Sequence, residues 1–294
     1  VNELDFIAAL RALPLHPGAG DLRDDTAMLG ELILTTDTMV EGVHYLPSDP
    51  PESIGWKLAA VNLSDLAAKG ATPVGCLLNH ALSGDAAWDA AFLSGLGDAL
   101  KTHAMPLLGG DTVAMPVGTP RSYSLTAIGR ASERTPVRSG AQPGDALWVT
   151  GTIGDAGAGL AIARGGEGPA DLLDRYRRPR PRLAEGQALA PHVHAMMDVS
   201  DGLLLDARRM ADASGIAVTI DLALVPLAPA FPGTPIEAAT AGDDYELLFA
   251  APADFVPQVP ATRVGRFASG SGLTLTDGDT PVALPPSLGY AHRV

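Results

Sequence analysis

Short acidic motifs recur along this chain: RDDTAML (Asp24, Asp25), TTDT (Thr35, Thr36, Asp37), NLSDL (Asp65), GGDT (Asp111), DVSDG (Asp198, Ser200, Asp201) and GDDYEL (Asp243, Asp244). Each stands at the end of an apolar run or in a glycine-rich turn. Singly, such residues are ordinary turn and cap formers. Brought together, their carboxylates would repel one another, and each would be disfavoured by loss of water. The only lysines are Lys57, Lys69 and Lys101, so the expected counter-charge is a hard cation. Carboxylates, hydroxyls and water suit Mg²⁺ or Ca²⁺. The D-x-[DN]-x-[DN]-G loop of a Ca²⁺ module is absent. Mg²⁺ takes one or two protein carboxylates and fills its shell with water and phosphate oxygens. Aspartates dispersed over several elements therefore point to a Mg²⁺–nucleotide site.

The Walker pattern G-x-x-x-x-G-K-[ST] is also absent, and GTIGDAGAG lacks both a lysine and the G-x-G-x-x-G spacing. That stretch reads equally as a tight strand-to-helix turn or as a phosphate contact. His44 follows a glycine in a loop, where a packing role is the ordinary one. Ser200 stands at a helix start, where capping is the ordinary role. RYRRPRPR reads as a solvated connector or an anion clamp.

The elements that must position these groups follow from pattern. Val1 to Leu13 reads as a helix, and ELILTTDT as a strand. Asp49, Pro50, Pro51 and Glu52 make a helix start, and Gly70 a stop. Within that helix Ile54, Leu58, Val61 and Asp65 share one stripe, which places a carboxylate where the face ought to be dry. TPVGCLLNHAL, MPLLGGDT, SYSLTAIGRA, ALWVT, HAMMDVSDG and VTIDLALV read as strands, and DAAWDAAFLSGLGDALKTH and LLLDARRMADASG as helices. GLTLTDGDTPVAL reads as a hairpin on its Asp-Gly turn. Strict βαβ alternation is absent, which favours an α+β class: two α+β domains with mixed or antiparallel sheets and flanking helices. The turn-rich RSGAQPGD marks the division, giving domains 1–134 and 135–294.

Bulk composition narrows the function classes. The chain has 294 residues, 46% hydrophobic and 18% charged, with a formal net charge of −14. A globular fold of about two domains follows. The negative balance argues against nucleic acid or an anionic membrane as partner. Cys76 is the only cysteine, which excludes an intramolecular disulfide and fits a reducing, cytoplasmic setting. The acidic amphipathic start is unlike a signal peptide, and no run is apolar enough to predict a transmembrane helix.

In order along the chain, TTDTMVEGVHY, KLAAVNLSDLAAKGATP, LLGGDT, RSGAQPGD, VTGTIGDAGAGLA, DVSDGL and GDDYELLF, and a last match at GYAH, resemble the thiamine-monophosphate kinase family of the aminoimidazole ribonucleotide synthetase-like superfamily. The resemblance implies ATP-dependent phosphorylation of thiamine monophosphate and a homodimer of two-domain subunits. It implies an N-terminal ATP/Mg-binding and dimerisation domain, and a C-terminal domain that closes the active site. It also implies that Asp25, Thr35, Thr36, Asp37, Asp65, Asp111, Asp198 and Asp201 bind several Mg²⁺ ions directly or through water. Gly110, Asp111, Arg138 and Ser200 are implied to hold ATP, and His44, Asp243 and Tyr290 to face thiamine monophosphate. Departures are Arg23 where the family has glycine, Asp243 where it has glutamate, and no aromatic residue shortly before GGDT. Two other readings stay open: another ATP-dependent synthetase of the superfamily, and a non-catalytic Mg-nucleotide-binding protein.

Overall fold

The computed structural model describes residues 3–116 and 118–291. Val1 and Asn2 of the expected first helix, and His292 of the last matching motif, lie outside them. The first helix, α1, spans Glu3–Leu10.

The first sheet contains β1 (Ala27–Leu29), β2 (Leu32–Val40), β3 (Thr72–Leu82), β4 (Leu107–Ala114) and β5 (Ser122–Arg130), in the order β1-β2-β5-β3-β4. Helices α2 (Pro51–Ala68) and α3 (Ala86–Thr102) belong with it. β3, α3 and β4 form a βαβ unit with β3 and β4 parallel; the other neighbours are antiparallel. Alternation sorts the two faces. Ile33, Thr35 and Met39 on β2, and Tyr123, Leu125 and Ala127 on β5, are buried in a core with Leu58, Leu63, Leu66, Phe92 and Leu96. Thr36 and Thr38 fall on the other face.

α2 is the centre of the molecule. Every residue from Lys57 to Ala68 is buried, because neighbours close on it from several sides. A Cβ on Gly95 of α3 would lie 1.7 Å from Glu52 O. One on Gly186, in helix α6 (Leu183–Leu189), would lie 2.0 Å from Ala67 O. Only glycine permits these backbone contacts. Ala67 and Ala68 thereby join a core with Leu189, Val193, Leu247 and Phe249 of the second half of the chain.

The second sheet comprises β6 (Ala146–Thr150), β7 (Ala195–Asp198), β8 (Ala217–Asp221), β9 (Leu247–Ala251), β10 (Ala261–Ala268), β11 (Gly272–Asp277) and β12 (Thr280–Val282), in the order β12-β11-β8-β10-β6-β9-β7. β8 and β11 are parallel; the remaining pairs are antiparallel, and β11 and β12 form the expected hairpin at Asp277-Gly278. Helices α4 (Asp155–Ala163), α5 (Ala170–Arg177), α7 (Leu203–Ser214) and α8 (Pro235–Thr240) complete this half. Leu203, Leu204, Ala207 and Met210 of α7 pack into its core with Val149, Val218 and Leu248. No described helix is long and apolar enough to cross a membrane. The α+β architecture with mixed sheets is as the sequence implies.

Two local expectations are corrected. Asp49 does not cap α2: Pro50 holds the cap position without a side-chain bond. Asp49 turns inward and accepts from Tyr176 Oη at 2.8 Å and Arg177 Nε at 3.1 Å. RYRRPRPR is not a free connector either. It begins inside α5, and Arg182 clamps buried Glu246 at 2.5 Å.

Candidate active site

A cleft of about 630 Å³ is lined by Asp24, Asp25, Asp37, Asp65, Asp198, Asp201 and Asp243. Asp24 and Asp25 lie just before β1, Asp37 on β2, and Asp65 on α2. Asp198 ends β7, Asp201 stands before α7, and Asp243 lies in the loop before β9. Residues far apart in sequence thus converge because α2 is shared by both halves.

Of the three innermost carboxylates, Asp25 has Arg138 as a cationic partner, and Asp65 and Asp198 are the least compensated. Asp25, Asp65 and Asp198 each offer an oxygen, all within 4.8 Å of one another. Among the described residues, no lysine or arginine makes an ion pair with Asp37, Asp65 or Asp198. Loss of water, then the charge of Asp25, pushes the Asp37 carboxyl up to about 6. Loss of water and neighbouring aspartates push Asp65 well above the usual range and Asp198 to about 8. Local donors hold the groups in place. Thr35 Oγ1 donates to Asp65 Oδ2, and Ser64 Oγ donates to Asp198 Oδ2 at 2.6 Å. Asn62 Oδ1 accepts from the Asp37 amide at 3.1 Å. Asp25 Oδ2 is buried and has no hydrogen-bond partner among the described residues. Three converging carboxylates, two of them (Asp65 and Asp198) with raised pKa values, and an orphaned oxygen on Asp25 fit a hard divalent cation.

The outer carboxylates are paired, which corrects the expectation of too few lysines. Lys69 Nζ lies 2.5 Å from Asp24, and Lys57 Nζ 2.7 Å from Asp243. Lys57 is buried on α2, and Lys69 is buried at its C-terminal cap. Arg138 pairs with Asp25, and Arg209 with Asp201 at 2.5 Å. A cleft with cations around an uncompensated acidic centre is suited to phosphate groups carried with metal ions.

Arg138, Ser200, His44, Asp243 and Tyr290 also line the cleft. Ser200 is not a helix cap. Its amide, with those of Asp201 and Gly202, donates to Asp206 Oδ2 at 3.0–3.2 Å, and Gly202 occupies the cap of α7. His44 Nδ1 accepts from the Val40 amide at 3.0 Å. Tyr290 is 46% exposed, and its amide donates to Asp201 O.

Other expected residues stand elsewhere. Thr36 is not among the residues lining the cleft and donates to Leu125 O at 3.2 Å. Gly110 and Asp111 lie on β4, every residue of which is exposed, and Asp111 Oδ1 accepts from the Thr112 amide. Two amides at the glycine turn before α4 are occupied. Gly154 N–H and Ala156 N–H donate to the Asp244 carboxylate at 2.7 and 3.3 Å. That N-terminus is tied to the GDDYEL loop through these two amides, while Ala156 and Gly157 line the cleft.

Sequence reasoning missed Lys57, Asn62, Ser64, Lys69, Asp206, Arg209 and Asp244 as structural partners of the site. A signal existed for some of them: Lys57 and Val61 precede Asp65 at helical spacing, and all three line the cleft.

The AIR synthase related protein N-terminal domain model matches residues 23–131, and the corresponding C-terminal domain model matches residues 142–276. A thiamine-monophosphate kinase of Caulobacter vibrioides is 38% identical, over 99% of this chain and 91% of that relative. The solved structure of AaThiL complexed with AMPPCP and TMP superposes with a TM-score of 0.89 at 30% identity, covering 99% of this chain and 97% of that chain. The crystal structure of thiamine-monophosphate kinase from Stenotrophomonas maltophilia K279a gives a TM-score of 0.77 at 36% identity, over 92% of this chain and 95% of that chain. Matched over nearly its whole length by sequence and by fold, the chain belongs to the thiamine-monophosphate kinase family, built from paired AIR synthase related domains.

Proposed function

We propose that this protein transfers the γ-phosphoryl group of ATP directly, in line, to the phosphate of thiamine monophosphate, giving thiamine diphosphate and ADP. The convergence of Asp25, Asp65 and Asp198 in a cation-rimmed cleft carries the reading. The relatives named above support the substrates.

Asp25, Asp37, Asp65, Asp198 and Asp201 would hold Mg²⁺, with Thr35 fixing Asp65 and Thr36 contributing through water. Bound there, Mg²⁺ supplies charge neutralisation on phosphate oxygens. Arg138 and Ser200 contact ATP, and Gly110 and Asp111, exposed on edge strand β4 outside this cleft, would reach a nucleotide across a subunit contact. His44, Asp243 and Tyr290 face thiamine monophosphate, with Tyr290 stacking on a ring. The acceptor is a phosphate monoester with a second pKa of about 6. Near neutral pH it is already ionised, so no dedicated base is needed. The chain's task is to bring two anions together.

Residues 1–134 form the ATP/Mg-binding and dimerisation domain, and 135–294 the domain that closes the site. On the first sheet Leu77 and, on edge strand β4, Leu107, Leu108 and Val113 are exposed. Large apolar residues exposed together on an edge strand support a homodimer. The acidic, single-cysteine composition fits the cytoplasm.

The test is an assay of the purified chain with ATP, Mg²⁺ and thiamine monophosphate, following ADP and thiamine diphosphate. Equal amounts of both products, abolished by a chelator, are expected. Mg–ATP binding with no acceptor-dependent ADP would overturn the reading in favour of a nucleotide-binding protein. A synthetase of the superfamily acting through a reactive cysteine is disfavoured, because Cys76 is buried in β3.

A further inference from the structure

We infer that Lys57 selects the substrate by exchanging counter-ions with Asp243; the inference rests on thiamine monophosphate being the acceptor. The Lys57 side chain is 3% exposed, and that of Asp243 is 28% exposed toward the cleft. Lys57 Nζ donates to Asp243 Oδ2 at 2.7 Å and to His44 O at 3.1 Å, and lies 4.4 Å from the centre of the Tyr176 ring. Asp243 Oδ1 accepts from Tyr245 Oη at 3.1 Å. The Asp243 backbone is fixed at φ +70°, with its amide donating to Ser200 O at 2.8 Å. The carboxylate is therefore held facing the cleft with both oxygens occupied, one of them by a cation.

A ligand that offers only an organic cation must displace Lys57 from Asp243. That strands a buried ammonium, which is costly. A ligand with an organic cation and a phosphate has a partner for each: the ring cation takes Asp243, and the phosphate takes Lys57. The position of Lys57 suits this. It shares the cleft-facing stripe of α2 with Val61 and Asp65, and the helix advances about 12 Å between Lys57 and Asp65. The flexible lysine stem can swing along that stripe toward the acidic centre. Thiamine and thiamine monophosphate carry the same ring cation, so the pair discriminates between them by the phosphate alone.

Calorimetric titration of the full chain with each ligand tests this. Lys57→Met should weaken thiamine monophosphate by about 10–100-fold, the worth of a charged hydrogen bond. The same change should tighten thiamine, because Asp243 is left free. Asp243→Asn should shift both ligands alike, since each loses the ring-cation contact and neither has to displace Lys57. Lys57→Arg should keep the wild-type order of ligands. Equal weakening of both ligands by Lys57→Met, the mark of a merely structural residue, would overturn the exchange. If Lys57→Met does not fold, Lys57→Gln takes its place: an unchanged preference for the phosphorylated ligand refutes the exchange. A wild-type chain that does not phosphorylate thiamine monophosphate refutes the acceptor assignment instead.

Discussion

Ser64 and Asp198 join the two halves of the cleft: Ser64 Oγ on α2 donates to Asp198 Oδ2 at the end of β7, 2.6 Å away. Ser64 is fully buried and Asp198 nearly so. The bond orients one of the three converging carboxylates and favours its ionised form.

Ser64→Ala should raise the Mg²⁺ concentration needed for half-maximal turnover. Loss of a partner that orients a metal ligand costs about 10–100-fold in metal affinity. A Mn²⁺ titration followed by calorimetry should show the same loss without turnover. Unchanged affinity in that titration would remove Ser64 from the site's support.

Asp65→Asn and Asp198→Asn separate function from stability. Each aspartate is buried beside others, and burial is the largest cause of its raised pKa. Neutralising one relieves repulsion in the metal-free protein while Thr35 or Ser64 keeps an oxygen to bond. In chelator, each variant should melt higher than wild type, with roughly 2–4 °C for each kcal/mol gained. Turnover should nearly vanish, and added Mg²⁺ should stabilise the variants less than wild type. Lower melting in chelator would contradict the account of an uncompensated acidic centre.

Much of this was readable from residue order. Asp65 is anomalous on an apolar stripe, and it does end at the opening of the core. The motifs at Asp24, Asp198 and Asp243 do lie at element ends, those at Asp37, Asp65 and Asp111 lie inside β2, α2 and β4, and all but the one at Asp111 line the cleft. Pairing across the chain was not readable. Lys57 reaches Asp243 only because α2 is enclosed by both halves, Lys69 reaches Asp24 within the first half, and helical periodicity carries no information about which distant loop arrives. Asp111 shows the reverse limit. Its motif resembles the others, but β4 is the edge strand of the first sheet, so its side chain is exposed. Strand order decides that, and no short motif encodes it.

Asp244 should matter through the loop that it anchors. Burial pushes its carboxyl well up, while the Gly154 and Ala156 amides pull the other way. Its neighbours Asp243 and Tyr245 both have left-handed backbones, at φ +70° and +53°. Asp244→Ala would leave buried amides unpaired, at a cost of about 1–3 kcal/mol. It should also raise the KM for thiamine monophosphate more than that for ATP, since Asp243 would lose its fixed backbone. Equal changes in both KM values would reduce Asp244 to a purely structural role.

Edge strand β4 gives a prediction about assembly. Leu107 and Val113 are 52% and 50% exposed, so charged substitutions there remove little packing within one chain. Leu107→Glu with Val113→Glu should therefore change the melting temperature of an isolated chain little, since exposed positions away from special features are usually within about 0.5 kcal/mol. A homodimer built on this face would instead bury two like-charged patches against each other and dissociate. Light scattering coupled to gel filtration should show wild type at twice the chain mass and the double variant at the single mass. Gly110 and Asp111 lie on the same strand, so Mg–ATP affinity should fall with dissociation if pairing brings that strand to a nucleotide. A double variant that keeps the wild-type mass would place the subunit contact elsewhere.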